Sequence, residues 1–542
     1  MIKSIYMKRL LLLLMLLQAI TSCNKLLDKK PTDFVDPAGF YNSEEELNMA
    51  LAAVYDPLGN EYMYGSSLWF QFGICTDEAF YAFSANAYSA PMFYQYDYTN
   101  PYVGGIWQQC YIGIERANML IENINKPSMD ETKRQAILGE ALFLRAYYHF
   151  ILVSNYGDVP LKLKSSDNVN SISIPRTPAK QVYEQIVTDM KEAEGKVNTI
   201  TSIGNSSHVS KTAVRGILAR VYLYMAGAPM NDQSKYADAL YWAQQVDAGN
   251  EHELLTTYNA TITNSAYSQI FINQCRDIYD IKECIWEVDF YAKDADPTYA
   301  EMGKVGTMNL GCTNIDTGRS SSNIKTTIKL YRLYGNGDLR RDWAIAPFSY
   351  SATANPLTRT YYTSTNIIGR DAGKWRRSYE PSNFVKLQFT NGTNFPLLRY
   401  ADVLLMQAEA ENEVNGPTAT AYTAINKVRR RAYGLPVNVA STVADVPAGL
   451  TPAQFRQFIR EERARELCFE GVRKGDLLRW GIFTNVMNEM VAEINASNAS
   501  FTNKSRWITG YATAASSGRY QLLPVPALEL NVNKGMTQNP GW

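Results

Sequence analysis

The stretch ETKRQAILGEALFLRAYYHFILVSNYGDVP, residues 131–160, decides the fold class. Within it Ile137, Ala141, Leu144, Tyr148 and Ile151 recur at steps of four and three, one face of an amphipathic helix. Gly157 and Pro160 end the pattern, since glycine accepts a left-handed cap and proline cannot continue a helix. The same texture lies on both sides. Ser43 followed by Glu46 forms a capping box that opens a helix through Tyr55, and helical spacing returns at Trp107. Thr177-Pro178 reads as an N-cap and first-turn proline before Val182, Ile186 and Met190. Ser210 starts a helix with Val214, Ile217, Val221 and Tyr224 inward and Gly227 at its end, and residues 236–246 make its partner. Further helices are predicted over 400–414, 418–432 and 452–474, bounded by Gly416-Pro417 and Thr451-Pro452.

Helices in pairs of this length, with Ala146-x-x-x-Phe150 and then Pro160, echo tetratricopeptide units and predict a mainly α, solenoid-like scaffold. Two segments lack the helical period. Residues 57–104 are rich in Tyr, Phe, Ser, Asn and Gly, and residues 250–398 in Asn, Thr, Ser, Gly and aromatics. Irregular stretches of that length inside a compact protein are usually functional. The tail from Gln521 is predicted to pack as a strap, because Leu522, Leu523, Val525 and Trp542 would be poorly placed in water.

Lys plus Arg and Asp plus Glu both number 53 in the 542 residues, so the chain has no net charge to draw it to nucleic acid. His149, His208 and His252 are the only histidines and are far apart, so neither a metal centre nor a cofactor site is expected. The 36 tyrosines suit wet, polar ligand surfaces, although helices also pack tyrosine between them.

The first 22 residues hold Lys3, Lys8 and Arg9, no acid, and the run from Leu10 to Leu17, which is the pattern of a secretory signal. Met7 would serve equally as the start. Ile20-Thr21-Ser22-Cys23 has the form of a lipobox, in which Cys23 takes a diacylglyceryl thioether and anchors the chain to a membrane. A secreted protein with an incidental cysteine is the alternative. Without the signal the balance becomes 50 against 53. Export implies an oxidising compartment, where a pair among Cys275, Cys284 and Cys312 or a set of free buried thiols would both fit.

No phosphate-binding loop, nucleophile elbow or His-Glu-x-x-His occurs. Glu462, Glu466 and Glu470, and likewise Glu409 and Glu413, recur every four residues. A glycosidase pair would need two such carboxyls flanking a sugar. Arg460, Arg463, Arg465, Arg473 and Arg479 interleave with them, so ion-pair scaffolding is predicted and no catalytic residue is assigned. Asp294-x-Asp296 offers too few oxygens for calcium.

Several strings, from Trp107-x-x-x-Tyr111-x-x-Ile114-x-x-Ala117-Asn118 onward, carry a resemblance. They include residues 139–150 with Tyr156-Gly157-Asp158-Val159-Pro160-Leu161, then residues 399–410, and Asn426-x-Val428-Arg429-x-Arg431-Ala432. The densest is Glu462-Arg463-x-x-Glu466-Leu467-x-Phe469-Glu470-Gly471-x-Arg473-x-x-Asp476-Leu477-x-Arg479-Trp480-Gly481. The chain closes with Leu523-Pro524-Val525-Pro526 and Gln538-Asn539-Pro540-Gly541-Trp542. Together they resemble the SusD/RagB family of outer-membrane nutrient-binding lipoproteins. The resemblance implies a tetratricopeptide-like right-handed α/α superhelix with long irregular insertions. It also implies a lipid-anchored position on the outer membrane facing the exterior, and a SusC-like TonB-dependent β-barrel transporter as partner. The ligand would be an oligosaccharide or, in the RagB branch, a peptide, without catalysis. Asn24 to Lys30 is less acidic than the export tag common in such lipoproteins, so exterior exposure rests on the family.

On this reading residues 1–22 are the signal, 23–40 a lipid-anchored leader, 41–250 an N-terminal helical region, 251–398 a ligand-facing insertion and 399–542 a C-terminal helical region with its strap. Arg145, Asp402, Glu466, Glu470 and Arg473 are charges within apolar helical faces and are assigned to structure. A sugar ring needs an aromatic platform beside amides or carboxyls, which the first irregular segment supplies as Asp77, Glu78, Tyr81, Phe83, Asn86, Tyr88, Tyr94 and Tyr96. The second supplies Tyr291, Tyr299, Asn309 and Asn314. An exported carbohydrate-active enzyme and a helical adaptor that binds only proteins are the rival readings.

Overall fold

The computed structural model describes residues 39–166, 173–291, 303–312, 317–351, 357–497, 504–516 and 518–542. Its longer helices are α1 (Glu44–Gly59), α2 (Pro101–Asn123), α3 (Glu131–Tyr156), α4 (Ala179–Glu194), α5 (Lys211–Ala226), α6 (Lys235–Ala248) and α7 (Ala266–Cys275). After an irregular stretch come α8 (Tyr400–Asn415), α9 (Ala419–Ala432), α10 (Pro452–Leu467), α11 (Arg473–Arg479), α12 (Phe483–Ala496) and α13 (Lys504–Ser516). Helices α1 to α6 pack each on the next or next but one, α8 continues the row against α6, and α9 and α10 close on α8. This is the predicted superhelix.

Local chemistry sets the ends. The Asp130 carboxylate accepts the Lys133 N–H at 3.0 Å to start α3, and Gly157 stops it at φ +73°. Ser210 and Thr418 cap α5 and α9 as read from the sequence, and Thr451 with Gln454 forms a reciprocal capping box on α10. At α1 the Ser43 hydroxyl accepts from Glu46, but the Glu46 carboxylate accepts the N–H of Asn42, one residue before the cap. Thr177 does not cap α4. The Ala179 N–H is taken by the Asp158 carboxylate at 2.8 Å instead. Helix α3 is buried on nearly every side, beyond the single face its periodicity predicts, because α1, α2, α4 and α5 surround it and its Phe143 and Tyr147 rings meet Trp286. It crosses α2 at Gly113, where a Cβ would stand 2.2 Å from the Tyr148 ring. That closeness lets the Tyr148 hydroxyl donate to the Val54 carbonyl on α1 at 2.7 Å.

The two segments predicted to be irregular contain short strands: β1 (Ala79–Tyr81), β2 (Cys284–Val288), β3 (Ile324–Thr326), β4 (Phe348–Tyr350), β5 (Arg359–Tyr361) and β6 (Phe395–Arg399). They form three antiparallel two-stranded ladders, β1 with β3, β2 with β6 and β4 with β5. Every residue of β1, β2 and β6 is buried, so no polar alternation marks them in the sequence. The β1–β3 pairing joins region 41–250 to 251–398, while β2–β6 lies within 251–398 except at its end, where Cys284 faces Arg399. The helix predicted over 452–474 breaks into α10 and α11, with Phe469 at φ +66° and Gly471 at φ +74°.

Behind the ladders lies a buried ion cluster. Glu466 accepts from Arg399 at 3.0 Å, Arg431 at 2.7 Å and Arg340 at 3.0 Å, and Glu470 from Arg399 and Lys374, both at 2.7 Å. Glu462 holds Arg340, Arg429 and Arg465 within 2.9 Å. Nearby, Asp402 bridges Arg463 and Arg220, Glu409 accepts from Arg479, and Arg145 grips Asp189 with two hydrogen bonds. The glutamate rows are ion-paired as predicted, but of the interleaved arginines only Arg465, on Glu462, and Arg479, on Glu409, supply the partners; Glu466 and Glu470 draw theirs from elsewhere in the chain. Cys75, Cys110, Cys275, Cys284, Cys312 and Cys468 are free buried thiols. The signal, Cys23 and the leader up to residue 38 lie outside the described residues.

Candidate functional site

The β1–β3 ladder joins the two irregular segments, and the chain leaving β1 forms an exposed shelf. Phe83 is 49% exposed and meets the buried Tyr81 edge-on at 5.8 Å. Asn86 is exposed and its side-chain oxygen accepts the Ser89 N–H at 2.9 Å, which fixes the turn. Tyr88 is half-buried, its hydroxyl 3.1 Å from that of Ser66 and its ring under the Lys304 ammonium at 5.5 Å. From the second segment Thr307 hydrogen-bonds to the Phe389 carbonyl, and Phe389, 59% exposed, carries the Arg319 guanidinium over its ring at 5.6 Å. Phe83 and Phe389 thus present exposed rings beside an amide and a guanidinium, while Tyr88 is packed by Lys304, Tyr102 and Phe70.

A hollow of about 590 Å³ is lined by Tyr55, Asp56, Arg116, His208, Asp289 and Tyr291, among others. Residues 58–65 run between hollow and shelf: Leu58 and Gly59 line the first, while Glu61 and Gly65 bind Lys304 on the second. His208 stands 3.1 Å from the Glu140 carboxylate, whose hydrogen bond raises the imidazole pKa. Glu287, at the floor, is pushed up to about 7 by burial.

Five of the predicted contact residues are buried and spent on the fold. Asp77 makes two 2.8 Å hydrogen bonds with Arg473. Burial alone would raise its pKa, and the guanidinium holds it below the usual carboxylate range. Tyr94, at φ +57°, donates to the Cys75 carbonyl at 2.6 Å. Tyr96 packs against Trp542 and Phe72, and Asn309 donates to the Val305 carbonyl at 2.7 Å. Glu78 is the fifth. Tyr81 is also buried, as the bed for Phe83. Phe83, Asn86, Tyr88 and Tyr291 are at the surface, the first three on the shelf and the last in the hollow. Tyr299 and Asn314 lie outside the described residues. Phe389, Arg319 and Lys304 were missed, and the signal was available: a lone aromatic in the run Gln388 to Asn394, and two cations among Gly, Thr and Ser. No cluster of three or more His, Cys, Asp or Glu suited to a metal occurs among the described residues.

Glu78 accepts the Phe469 N–H at 3.1 Å with one oxygen while the other has no partner, and burial pushes its pKa to about 8. Between pH 4.5 and 8 the unfolded chain gives up this proton and the folded chain keeps it, so folding stability declines as pH rises. Glu78→Gln keeps the acceptor and removes the charge. It is expected to exceed the wild type by roughly 1–3 kcal/mol at the upper end of that window in denaturant titrations, the gain shrinking towards its lower end. A gain that grows on acidification would refute the assignment.

Two sequence profiles match the chain: the SusD family over residues 282–542 and a family described as starch-binding, associating with the outer membrane, over residues 25–223. A SusD-like protein of Formosa agariphila is 25% identical over 548 aligned positions, covering 94% of both chains. The starch-binding protein SusD of Bacteroides thetaiotaomicron is 29% identical over 175 positions, covering 31% of this chain and 25% of that one. The crystal structure of a SusD homologue from Bacteroides thetaiotaomicron superposes with a TM-score of 0.84 at 28% identity, over 93% of this chain and 98% of the other.

Proposed function

The chain belongs to the SusD/RagB family, and from that premise we propose that it is a non-enzymatic surface lipoprotein that captures a polymeric glycan. It hands the glycan to a SusC-like TonB-dependent transporter, and Cys23 is its lipid anchor at the outer membrane. The observation that carries the reading is a pair of exposed rings with polar neighbours: Phe83, with Asn86 in the turn that leaves the β1–β3 ladder, and Phe389, beneath the Arg319 guanidinium. A pyranose presents an apolar C–H face and a fringe of hydroxyls, and such rings with adjacent donors match both at once. The rings are set on the two different insertions, and on this reading a polymeric ligand uses both. A transporter lid must also release its cargo, which suits affinity of around micromolar to millimolar.

The test is affinity electrophoresis of the full chain through gels containing each of a panel of polysaccharides. Retardation by at least one is expected, with no new reducing ends. Phe83→Ala combined with Phe389→Ala should weaken it about tenfold or more, at about 1–2 kcal/mol per stacking ring, with unchanged thermal unfolding because both rings are exposed. Retention of full affinity by the double variant would move the site elsewhere, and release of reducing ends would make the protein an enzyme.

A further inference from the structure

We infer that the glycan is anionic, recognised through its carboxylate or sulfate groups by two exposed arginines, Arg319 and Arg359. This rests on the glycan-binding reading above and names the class of its ligand. Residues 303–394 carry thirteen Lys and Arg against five Asp and Glu, although the whole chain is balanced at 53 each. The basic excess therefore falls on the segment that builds half of the shelf. Nine of the thirteen are neutralised by a carboxylate, as Arg377 is by Glu380 at 3.0 Å. Arg370 and Arg376 are buried and donate to backbone carbonyls. Arg319 and Arg359 remain, both exposed and neither paired with a carboxylate among the described residues.

Each is held in place by a ring. Arg319 lies over Phe389 at 5.6 Å, and Arg359 over Phe348 at 4.6 Å with the exposed Tyr361 beside it. The backbone below is fixed, because Arg377 donates to the Arg319 carbonyl at 2.7 Å. Phe348 packs on Leu310, whose carbonyl accepts from the Ser320 hydroxyl. A guanidinium has five N–H donors, so one laid on an aromatic face, even with tyrosine hydroxyls beside it as at Arg359, keeps donors for a carboxylate or sulfate. Neither guanidinium has a carboxylate partner among the described residues, so neither adds an ion pair to the fold, and Arg359 is further oriented by hydrogen bonds to the Tyr361 and Tyr350 hydroxyls. The pre-ordered stacking of both arginines lowers the entropy lost on meeting an anion. A neutral glycan would use the rings and leave both charges idle.

The experiment measures the full chain against polygalacturonate, chondroitin sulfate and soluble starch by affinity electrophoresis, at low and high salt. At least one polyanion is expected to bind about tenfold or more tightly than starch, and its affinity to fall as salt screens the pair. Arg319→Gln with Arg359→Gln should cost about tenfold or more, and the lysine versions should recover only part of it. Preference for polygalacturonate identifies a carboxylate, and preference for chondroitin sulfate alone a sulfate. Starch binding as tight as either polyanion, no polyanion retained, or polyanion binding untouched by the glutamine variants overturns the inference. In the first of these the glycan-binding reading still stands. Retention of peptides by a protein that holds no polysaccharide overturns both.

Discussion

Replacing Glu466 with alanine is expected to cost about 3–5 kcal/mol of stability at neutral pH, read as a drop in the denaturant midpoint at unchanged slope. Glu466 is fully buried at the end of α10 and accepts from Arg399, Arg431 and Arg340. Its removal leaves three guanidiniums in the interior with too few partners, and the desolvation of each is no longer offset. Burial would raise the Glu466 pKa, but Arg431, Arg399 and Arg340 bring it down to about 2. The carboxylate therefore stabilises the fold above its unfolded pKa of about 4.5 and loses that contribution as pH falls towards 2, so the difference between variant and wild type should shrink over that window. Glu44, paired with Lys133 at the surface, offers the contrast: Glu44→Ala should change stability by less than about 1 kcal/mol. A Glu466→Ala protein as stable as the wild type would mean that the cluster is not scaffold.

The repeat of acids every four residues marked this cluster as ion-paired, but its partners were only partly readable: of the interleaved arginines Arg465 meets Glu462 and Arg479 meets Glu409, while Glu466 and Glu470 take Arg340, Lys374, Arg399 and Arg431 from distant elements. The helices were readable for a similar reason: Ser210, Thr418 and Thr451 each stand before a periodic apolar run. The shelf was legible only in part. Composition marks residues 77–96 as ring-rich and polar, but exposure depends on pairing partners hundreds of residues away. Tyr94 and Phe83 have the same local context, and the first is sealed by the Cys75 carbonyl and the Tyr520 ring while the second stands free. The three-residue β1 strand, which decides between those fates, has no signature because both its faces are buried. Phe389 and Arg319 were hidden by the opposite problem, as isolated residues in polar loops whose meeting is set by the fold of residues 303–394.

The Asp77–Arg473 pair separates the two roles that a carboxylate in that loop can have. Asp77 was a predicted ligand contact, and it is buried against Arg473, 396 positions away, with its backbone carbonyl accepting from Thr327 at 2.6 Å. Arg473 also donates to the Arg460 carbonyl at 2.9 Å, so the pair ties the start of β1 to α10 and α11. Asp77→Leu is expected to destabilise by about 3–5 kcal/mol, as is Arg473→Met, since each strands a buried charge. Asp77→Leu with Arg473→Met should recover most of that loss, because replacing both charges by apolar groups of similar size is often close to neutral. Glycan affinity should follow the same pattern, falling in each single variant and returning in the double one, because the pair acts by holding β1 and the Phe83 turn beyond it. A ligand contact would behave otherwise: Asp77→Leu would lose affinity at constant stability, Arg473→Met would leave affinity intact, and the double variant would not restore it. The cycle, measured by denaturation and by affinity electrophoresis on the same four proteins, therefore decides whether this carboxylate serves the frame or the cargo.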